Sequence, residues 1–541
     1  MTPARVLREE RHEASLPSRG RPRTRRALAL AATAALAAGL ALPLTATAAL
    51  ADDDAGLAGS ELYVDPWSTT LEAAQSLSGQ ARDDAQLLGS IASATWFTDG
   101  TPAEVEAAVD AVVSAAAAQD RMPVLVAYNL PFRDCAQYSA GGAADTAAYA
   151  AWIDGFAAGI GGRDATVILE PDGLGIIPHY TTLDGVAEWC QPAEVPAETA
   201  ASDRFAQLSH AVDAFAALPA TSVYLDGTGA SWLNVGEISD RLLKGGVQRA
   251  DGFFLNASNY QFTANSTAFG TWVSQCIAYV TEVVPGDFGS CGNQYWNGGP
   301  ATGWQGVSMS QYGQWRADAA DPALNTSGVD SRYASILGGT QPSTHFVIDT
   351  SRNGLGPWQY PDGVYSAHED WCNPPDRGLG LRPDTTTGVA LVDAYLWIKV
   401  PGESDGKCYR GTAGPDDPER GYEDPAAGQW FAQQARELIA LADPAIAPLD
   451  CHVDWAPSAD GTSAAVRLSG RLGDRFSLGF AVPEGQKVVK ATRAAVVQSG
   501  DVVTVTGMPK RTGNAPDTVV HAKSSLSTPW QFLLDGRACT S

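Results

Sequence analysis

Pro123–Cys135 reads PVLVAYNLPFRDC, and Ala165–Gly175 reads ATVILEPDGLG. Each opens as an apolar, β-branched run of strand length and stops at carboxylates. The first run stops just before Arg133-Asp134-Cys135, the second at Glu170-Pro171-Asp172. Between them AAYAAWIDGFAAGI (Ala147–Ile160) has helix composition and length, so the unit is strand–helix–strand with both strands parallel. Folds of this kind hold their ligands in the loops after the C-terminal ends of the strands. Asp134 and Asp172 are therefore expected to face one cleft. A strand-end Asp can instead cap the next helix; two of them in consecutive units, one inside Glu-Pro-Asp, favour the cleft.

The alternation extends outward on both sides. Thr101-Pro102-Ala103-Glu104 is a capping box with Pro at the first helical position, opening the helix EVEAAVDAVVSAAAAQ. Further strands are expected at Ser222–Gly227, ending on Asp226, and at Gly252–Ala257, close to Asn256 and Asn259. Two more are expected at His345–Ser351, containing Asp349, and at Leu391–Gly402, leading to Glu403-Ser404-Asp405. Helices are expected at Asp203–Leu218, Ile238–Ala250 and Ala426–Ala442. Alternation repeated this often makes an α/β barrel or an open doubly wound sheet. The Gly-, Ser- and Trp-rich segment Ser290–Gly339 breaks the rhythm and reads as long surface loops over the cleft.

From Cys451 the pattern changes to short Val/Thr-rich runs between Gly, Asp and Pro turns, a β-sandwich pattern of roughly 90 residues. The junction Ala442–Asp450 is short and carries no Ser/Pro-rich tether.

The chain has 541 residues, enough for one large domain and one small one. Its 15 Trp, 16 Tyr and 15 Phe serve a core or a sugar-stacking cleft equally well. The first 51 residues carry eight Arg against three Glu, so removing them takes the net charge from −25 to about −30. Such acidity argues against nucleic acid and anionic membranes as partners and favours a neutral substrate.

Residues 1–51 read as a secretory signal. Arg25-Arg26 leads into an Ala/Leu run ending at Ala46-Thr47-Ala48 and Ala49-Leu50-Ala51, whose small residues suit cleavage. Thr24-Arg25-Arg26 is a partial twin-arginine motif, so export by the general secretory or the twin-arginine route is expected. The mature chain should be extracellular, without membrane attachment. Its eight cysteines, Cys135, Cys190, Cys276, Cys291, Cys372, Cys408, Cys451 and Cys539, suit an oxidising compartment. Eight cysteines allow 105 connectivities. None forms a C-x-x-C pair and His is scarce, so no metal and no cofactor are expected.

Strand-end carboxylates, Trp-rich loops, secretion and the lack of a metal motif point to glycoside hydrolysis. One carboxylic acid protonates the leaving oxygen while a second attacks or activates water. Magnesium-dependent phosphoryl transfer would need a D-x-D motif, a P-loop or a basic cluster for phosphate, and the sequence from residue 58 on has none.

Four stretches carry a resemblance. Tyr128–Cys135 (YNLPFRDC), Ile168–Asp172 (ILEPD), Trp371–Pro375 (WCNPP) and Trp397–Gly406 (WIKVPGESDG) resemble, in order, the motifs of glycoside hydrolase family 6, the inverting cellulases. The resemblance spans residues 58–445. It implies a distorted parallel β/α barrel acting on β-1,4-glucan such as cellulose or its oligosaccharides, as a monomer. Asp172 matches the family's general acid. Asp134 matches the Asp that helps keep that acid protonated, since a nearby like charge raises a carboxyl pKa. Tyr128 matches a Tyr beside the distorted sugar, Asp405 the residue assigned as base, and Asp226 a further cleft Asp. Trp96, Trp232 and Trp371 match subsite tryptophans; Asn259, Lys399 and Glu403 match groups that hold hydroxyls. The resemblance supports bridges Cys135–Cys190 and Cys372–Cys408; proximity adds Cys276–Cys291. Inversion requires acid and base carboxyls about 6.5–9.5 Å apart.

Two positions depart from the family pattern: Gly229, where His or Asn is usual near the third position after Asp226, and Asp376 in place of a Gly. Loops decide the mode of attack in this family. The insertion between Tyr260 and His345 and the stretch from Asp405 to Gly428 favour a roofed cleft and a cellobiohydrolase; an open-cleft endoglucanase is the alternative. A glucan-binding protein with weak turnover is the reading from another class.

Residues 446–541 resemble a family 2 carbohydrate-binding module, closed by Cys451 and Cys539. The three stacking positions of such modules fall on Phe476, Thr492 and Lys510, leaving one ring of three. Trp455 and Trp530 are expected in its core.

Overall fold

The computed structural model describes residues 56–541 apart from 368, 471–474, 484 and 510–514. The expected signal segment lies outside the described residues, as does Lys510. Among the described residues, no helix is long and apolar enough to cross a membrane.

Seven parallel strands form one sheet: β1 (Thr95–Phe97), β2 (Val124–Ala127), β3 (Ala165–Leu169), β4 (Thr221–Asp226), β5 (Gly252–Leu255), β6 (His345–Asp349) and β7 (Val392–Leu396). They pair strictly in sequence order, so every crossover steps the same way round. A doubly wound sheet would reverse direction once; this one curls into a barrel instead. β1 meets the end of β7 without a ladder among the described residues. The Ala94 N–H donates to the Trp397 carbonyl at 2.9 Å, and the Trp96 indole donates to the Ile398 carbonyl at 2.8 Å.

Side-chain alternation separates two apolar layers. Val126, Ile168, Tyr224, Phe254, Val347, Ala394 and Leu396 fill the barrel interior. Leu125, Val167, Val223, Phe253, Phe346 and their alternates face the surrounding helices. Both faces are covered, which is why the strands read as continuous apolar runs. The helix Pro102–Ala117 opens on the expected capping box, Thr101 and Glu104 exchanging backbone bonds.

Other expectations shift. The final helix runs Ala432–Ala440, starting later than composition implied. The insertion after β5 contains two helices, Thr263–Ala278 and Ser327–Ile336, as well as loops. In the first, Gly270 lets the helix lie on β6: a Cβ there would stand 2.5 Å from the Phe346 ring.

From Cys451 onward, antiparallel sheets of five and four strands enclose a separate core of Val453, Val466, Leu478, Phe480, Val505 and Phe532. Phe476, expected as an exposed stacking ring, is 2% exposed and part of that core. It stands on a strand whose inward face is apolar, so no stacking ring is available at that position. Trp455 packs on Phe480 and Phe532 as expected. Trp530 instead stands edge-on to Trp67 of the barrel part, ring centres 5.1 Å apart. The two parts touch further: Trp67 donates to Asp501 at 3.0 Å, and Gln86 exchanges two bonds with the terminal Ser541 at 2.9 and 2.7 Å. All eight cysteines are paired, as Cys135–Cys190, Cys276–Cys291, Cys372–Cys408 and Cys451–Cys539.

Candidate active site

The strand ends carry two sets of carboxylates with different duties. One set faces backbone. Glu170, at the end of β3, is fully buried and accepts from the N–H groups of Asn129 and Leu130 at 2.9–3.1 Å, so it grips the loop after β2. Asp226, at the end of β4, accepts from Leu174 and Gly175 at 3.2 and 3.1 Å, and from Thr228 at 2.8 Å. It thereby grips the loop after β3. Asp349, at the end of β6, accepts from Ser258 of the loop after β5 and from Lys399 of the loop after β7. These residues brace each catalytic loop from a neighbouring strand. Asp226, expected in the cleft, is 4% exposed and absent from the residues lining it.

The other set faces a cleft of about 720 Å³, which Tyr128, Asp134, Asp172 and Asp405 all line. Asp172 sits at φ 64° and Asp134 at φ 57°, left-handed conformations that cost of order 1 kcal/mol or more each and persist only when surrounding contacts impose them. Here the braces do so. The Asp172 carboxyl takes no hydrogen bond among the described residues. Burial pushes its pKa well above the usual carboxylate range, and the charges of Asp226, Asp134 and Asp405 push it further. Burial also raises Asp134, against the Ser139 N–H that it accepts at 2.7 Å and the charge of Arg133.

Asp405 has the opposite setting. Burial alone would raise its pKa, but Arg352 at 2.8 Å and Lys399 at 3.7 Å override that, with the Asn373 N–H at 3.0 Å, and hold it below the ordinary value. The Tyr260 hydroxyl adds a third hydrogen-bond donor at 3.3 Å, beside Arg352 and the Asn373 N–H. Two carboxyls whose surroundings push their pKa values apart are what acid–base chemistry on one bond requires.

Around them, Trp96, Trp232, Trp371, Asn259, Lys399 and Glu403 all line the cleft, so the structure brings together the expected sugar-facing residues. Trp96 stands edge-on to Tyr128, ring centres 5.4 Å apart. The Glu403 carboxylate accepts from the Thr69 hydroxyl. Sequence reasoning missed Trp189, Tyr138 and Asp370, which also line it. Trp189 is 54% exposed and adjoins the bridged Cys190, a position next to a loop-tying cysteine that could have marked it. At Gly229 a Cβ would meet nothing within 4 Å among the described residues, so room stands open where a side chain was expected.

The loops after β2 and β6 meet at the cleft. The Tyr138 hydroxyl donates to Glu369 at 3.0 Å, and its ring lies 5.9 Å from Trp371 and 6.1 Å from Tyr409. One group of potential metal ligands, Cys408, Asp417 and Asp424, exists among the described residues. It does not suit an ion: the Cys408 sulfur is in a disulfide and Asp417 is paired with Arg410.

The family model "Glycosyl hydrolases family 6" matches residues 57–442. The chain is 34% identical to "Endoglucanase 1" of Streptomyces halstedii over 382 residues, 70% of this chain and 88% of that protein. It is 28% identical to a "Probable 1,4-beta-D-glucan cellobiohydrolase C" of Neosartorya fischeri over 416 residues, 72% of this chain and 78% of that one. A solved endoglucanase of Mycobacterium tuberculosis, in complex with methyl-cellobiosyl-4-deoxy-4-thio-β-D-cellobioside, is 31% identical, covering 71% of this chain and 97% of its own, with a TM-score of 0.49.

Proposed function

The chain belongs to family 6 of the glycosyl hydrolases, and from that premise we propose that it is an inverting β-1,4-glucanase acting on cellulose and its oligosaccharides. The observation that carries the reading is the contrast between Asp172, unbonded and held protonated by burial and by three neighbouring acids, and Asp405, held ionised by Arg352 and Lys399.

In this reading Asp172 gives its proton to the glycosidic oxygen as the bond to C1 breaks. A water attacks C1 from the opposite face, and its proton passes to Asp405, whose Oδ1 faces Lys399 alone. Asp134 keeps the acid charged with its proton, and Tyr128 lies against the sugar at the cleavage point. Trp96, Trp232 and Trp371 stack glucosyl rings; Asn259, Lys399 and Glu403 hold hydroxyls. Asp226 acts through the loop it braces and is a positioning residue.

The meeting of Tyr138 with Glu369, Trp371 and Tyr409 supports a roofed cleft and therefore release of cellobiose from chain ends; the leader-like residues 1–51 and the family resemblance support a secreted monomer. No metal or cofactor enters this mechanism. Sizing the products from carboxymethyl-cellulose and amorphous cellulose tests the mode: cellobiose with little viscosity loss supports it, while rapid viscosity loss with mixed oligomers makes the protein an endoglucanase. Equal turnover by wild type and Asp172→Ala would overturn the acid assignment.

A further inference from the structure

Outside the cleft, the loop from Gln294 to Gln311 carries an aromatic surface that the reaction does not use. Trp296 and Trp304 are 40% and 59% exposed, with nearly parallel rings (17°) whose centres lie 6.5 Å apart. Tyr295 and Val307 beside them are 47% and 43% exposed. Exposed aromatic clusters of this kind mark binding surfaces.

The loop is built to hold these rings out. Trp304 stands at φ 62°, a conformation in which a bulky residue is a true outlier and whose cost marks a functional constraint. Its N–H is fixed to the Gly299 carbonyl at 2.8 Å. Gly298 and Gly306 lie against the Trp296 ring so closely that a Cβ at either would stand under 3 Å from it. Asn297 ties the loop across itself to Val307 at 2.9 Å and outward to the Pro322 and Asn325 carbonyls at 2.7 and 2.9 Å. The Arg332 guanidinium lies 5.5 Å from the centre of the Trp296 ring.

Two observations say what would lie there. Both ends of the loop are fastened to the cleft. Gln294 donates to the Leu233 carbonyl at 2.9 Å, Tyr295 donates to the carbonyl of cleft-lining Trp232 at 2.6 Å, and Gln311 lines the cleft while accepting from Gln261 at 3.0 Å. Furthermore, no charged residue occurs between Asp287 and Arg316, in a chain of net charge −25. The loop itself thus carries exposed indoles and no charge of its own, Arg332 lying against one of them, and its two ends are anchored at the substrate cleft.

We propose that Trp304 and Trp296 form a glucan-binding platform that holds the polymer beyond the cleft, the apolar C–H faces of its glucosyl rings lying on the indoles. The proposal rests on the glucanase reading of the cleft. It gives the protein a preference for long chains that the cleft alone does not supply.

The test separates binding from cleavage. In an Asp172→Ala background, which leaves the polymer intact, retardation is measured in gels containing soluble hydroxyethyl cellulose, with and without Trp304→Ala or Trp304→Phe. Hydrolysis of cellotriose by proteins with Asp172 intact reports on the cleft alone. The expected result is a loss of about tenfold in polymer affinity for Trp304→Ala, the worth of one stacked ring, and its recovery in Trp304→Phe. Unchanged retardation of Trp304→Ala alongside intact cellotriose hydrolysis would overturn the platform. So would a fall in oligomeric mass without a change in polymer affinity, which would make the patch a self-association surface. Wild type inert on cellotriose would remove the glucanase reading itself, and the platform with it.

Discussion

Asn373 and Asp405 hold each other through two hydrogen bonds: the Asp405 N–H donates to Asn373 Oδ1 at 2.8 Å, and the Asn373 N–H donates to Asp405 Oδ2 at 3.0 Å. The Asn373 amide also donates to Ser404, Gly406 and Asp424, each at 2.9 Å, so one buried side chain fixes the whole turn that presents Asp405. Removing it frees the Asp405 carboxylate from that turn, which in the proposed mechanism takes it from the attacking water. Asn373→Ala should lower kcat about a hundredfold with KM changed by less than about threefold. Steady-state kinetics on cellotetraose check this.

In the proposed mechanism Asp172 and Asp405 set the two limbs of the pH–rate profile. Activity requires the first protonated and the second ionised, so the acid limb falls below the ordinary carboxylate value and the alkaline limb well above it. Asp134→Asn removes one of the charges that raise Asp172 and should move the alkaline limb of kcat to lower pH. Asp172→Asn should abolish the alkaline limb and cost about a thousandfold in kcat.

The braces titrate too. Glu170 is raised to about 7 and Asp226 to about 6, both first by burial, against the backbone N–H groups that favour their ionised forms. A carboxyl with a raised folded pKa binds its proton more tightly folded than unfolded. Its contribution to stability is therefore full below the unfolded value and lost as the pH rises through the folded one. The thermal midpoint should accordingly climb as the pH falls from 8 to 5. Glu170→Gln should flatten that climb, which scanning calorimetry across the pH range will read.

The bridge Cys372–Cys408 closes a loop with sequence separation 36 directly beside Asn373. Replacing both cysteines by Ala should cost about 2–4 kcal/mol of stability. It should also lower kcat more than the equivalent change at Cys276–Cys291, which is remote from Asp405 in sequence. Melting curves and kinetics of the two double variants compare the sites.

Trp530 joins the sandwich to the barrel through Trp67. Trp530→Ala should cost about 1–2 kcal/mol and, by loosening the contact, let the sandwich unfold in a transition of its own. Calorimetry of the mature chain distinguishes this from a uniform downward shift.

Much of the fold was legible because a parallel strand buried on both faces leaves a continuous apolar run, as Val124–Ala127 and Ala165–Leu169 do. β1 was not, since three residues leave no pattern. The helix Thr263–Ala278 was hidden by its Thr, Asn, Ser and Gly content, which suits close packing on Phe346 rather than helix propensity. At the site, the motifs picked out Asp134, Asp172 and Asp405, all of which line the cleft. They could not separate those from Asp226, because a strand-end carboxylate reads the same whether it faces a sugar or a neighbour's backbone. Phe476 illustrates the same limit: a position in a strand names two faces, and only the packed sheet chooses between them.

The braces grip each loop near its root: Asn129 and Leu130 after β2, Leu174 and Gly175 after β3, Ser258 after β5, Lys399 after β7. Asp134, Asp172 and Asp405 lie close in sequence to those anchors, whereas the loop tips farther out are held by other contacts. An insertion or deletion at a loop tip can therefore redraw the roof while the acid and its counterpart stay in register. The scaffold thus has separate genetic addresses for its carboxylates and for its reach.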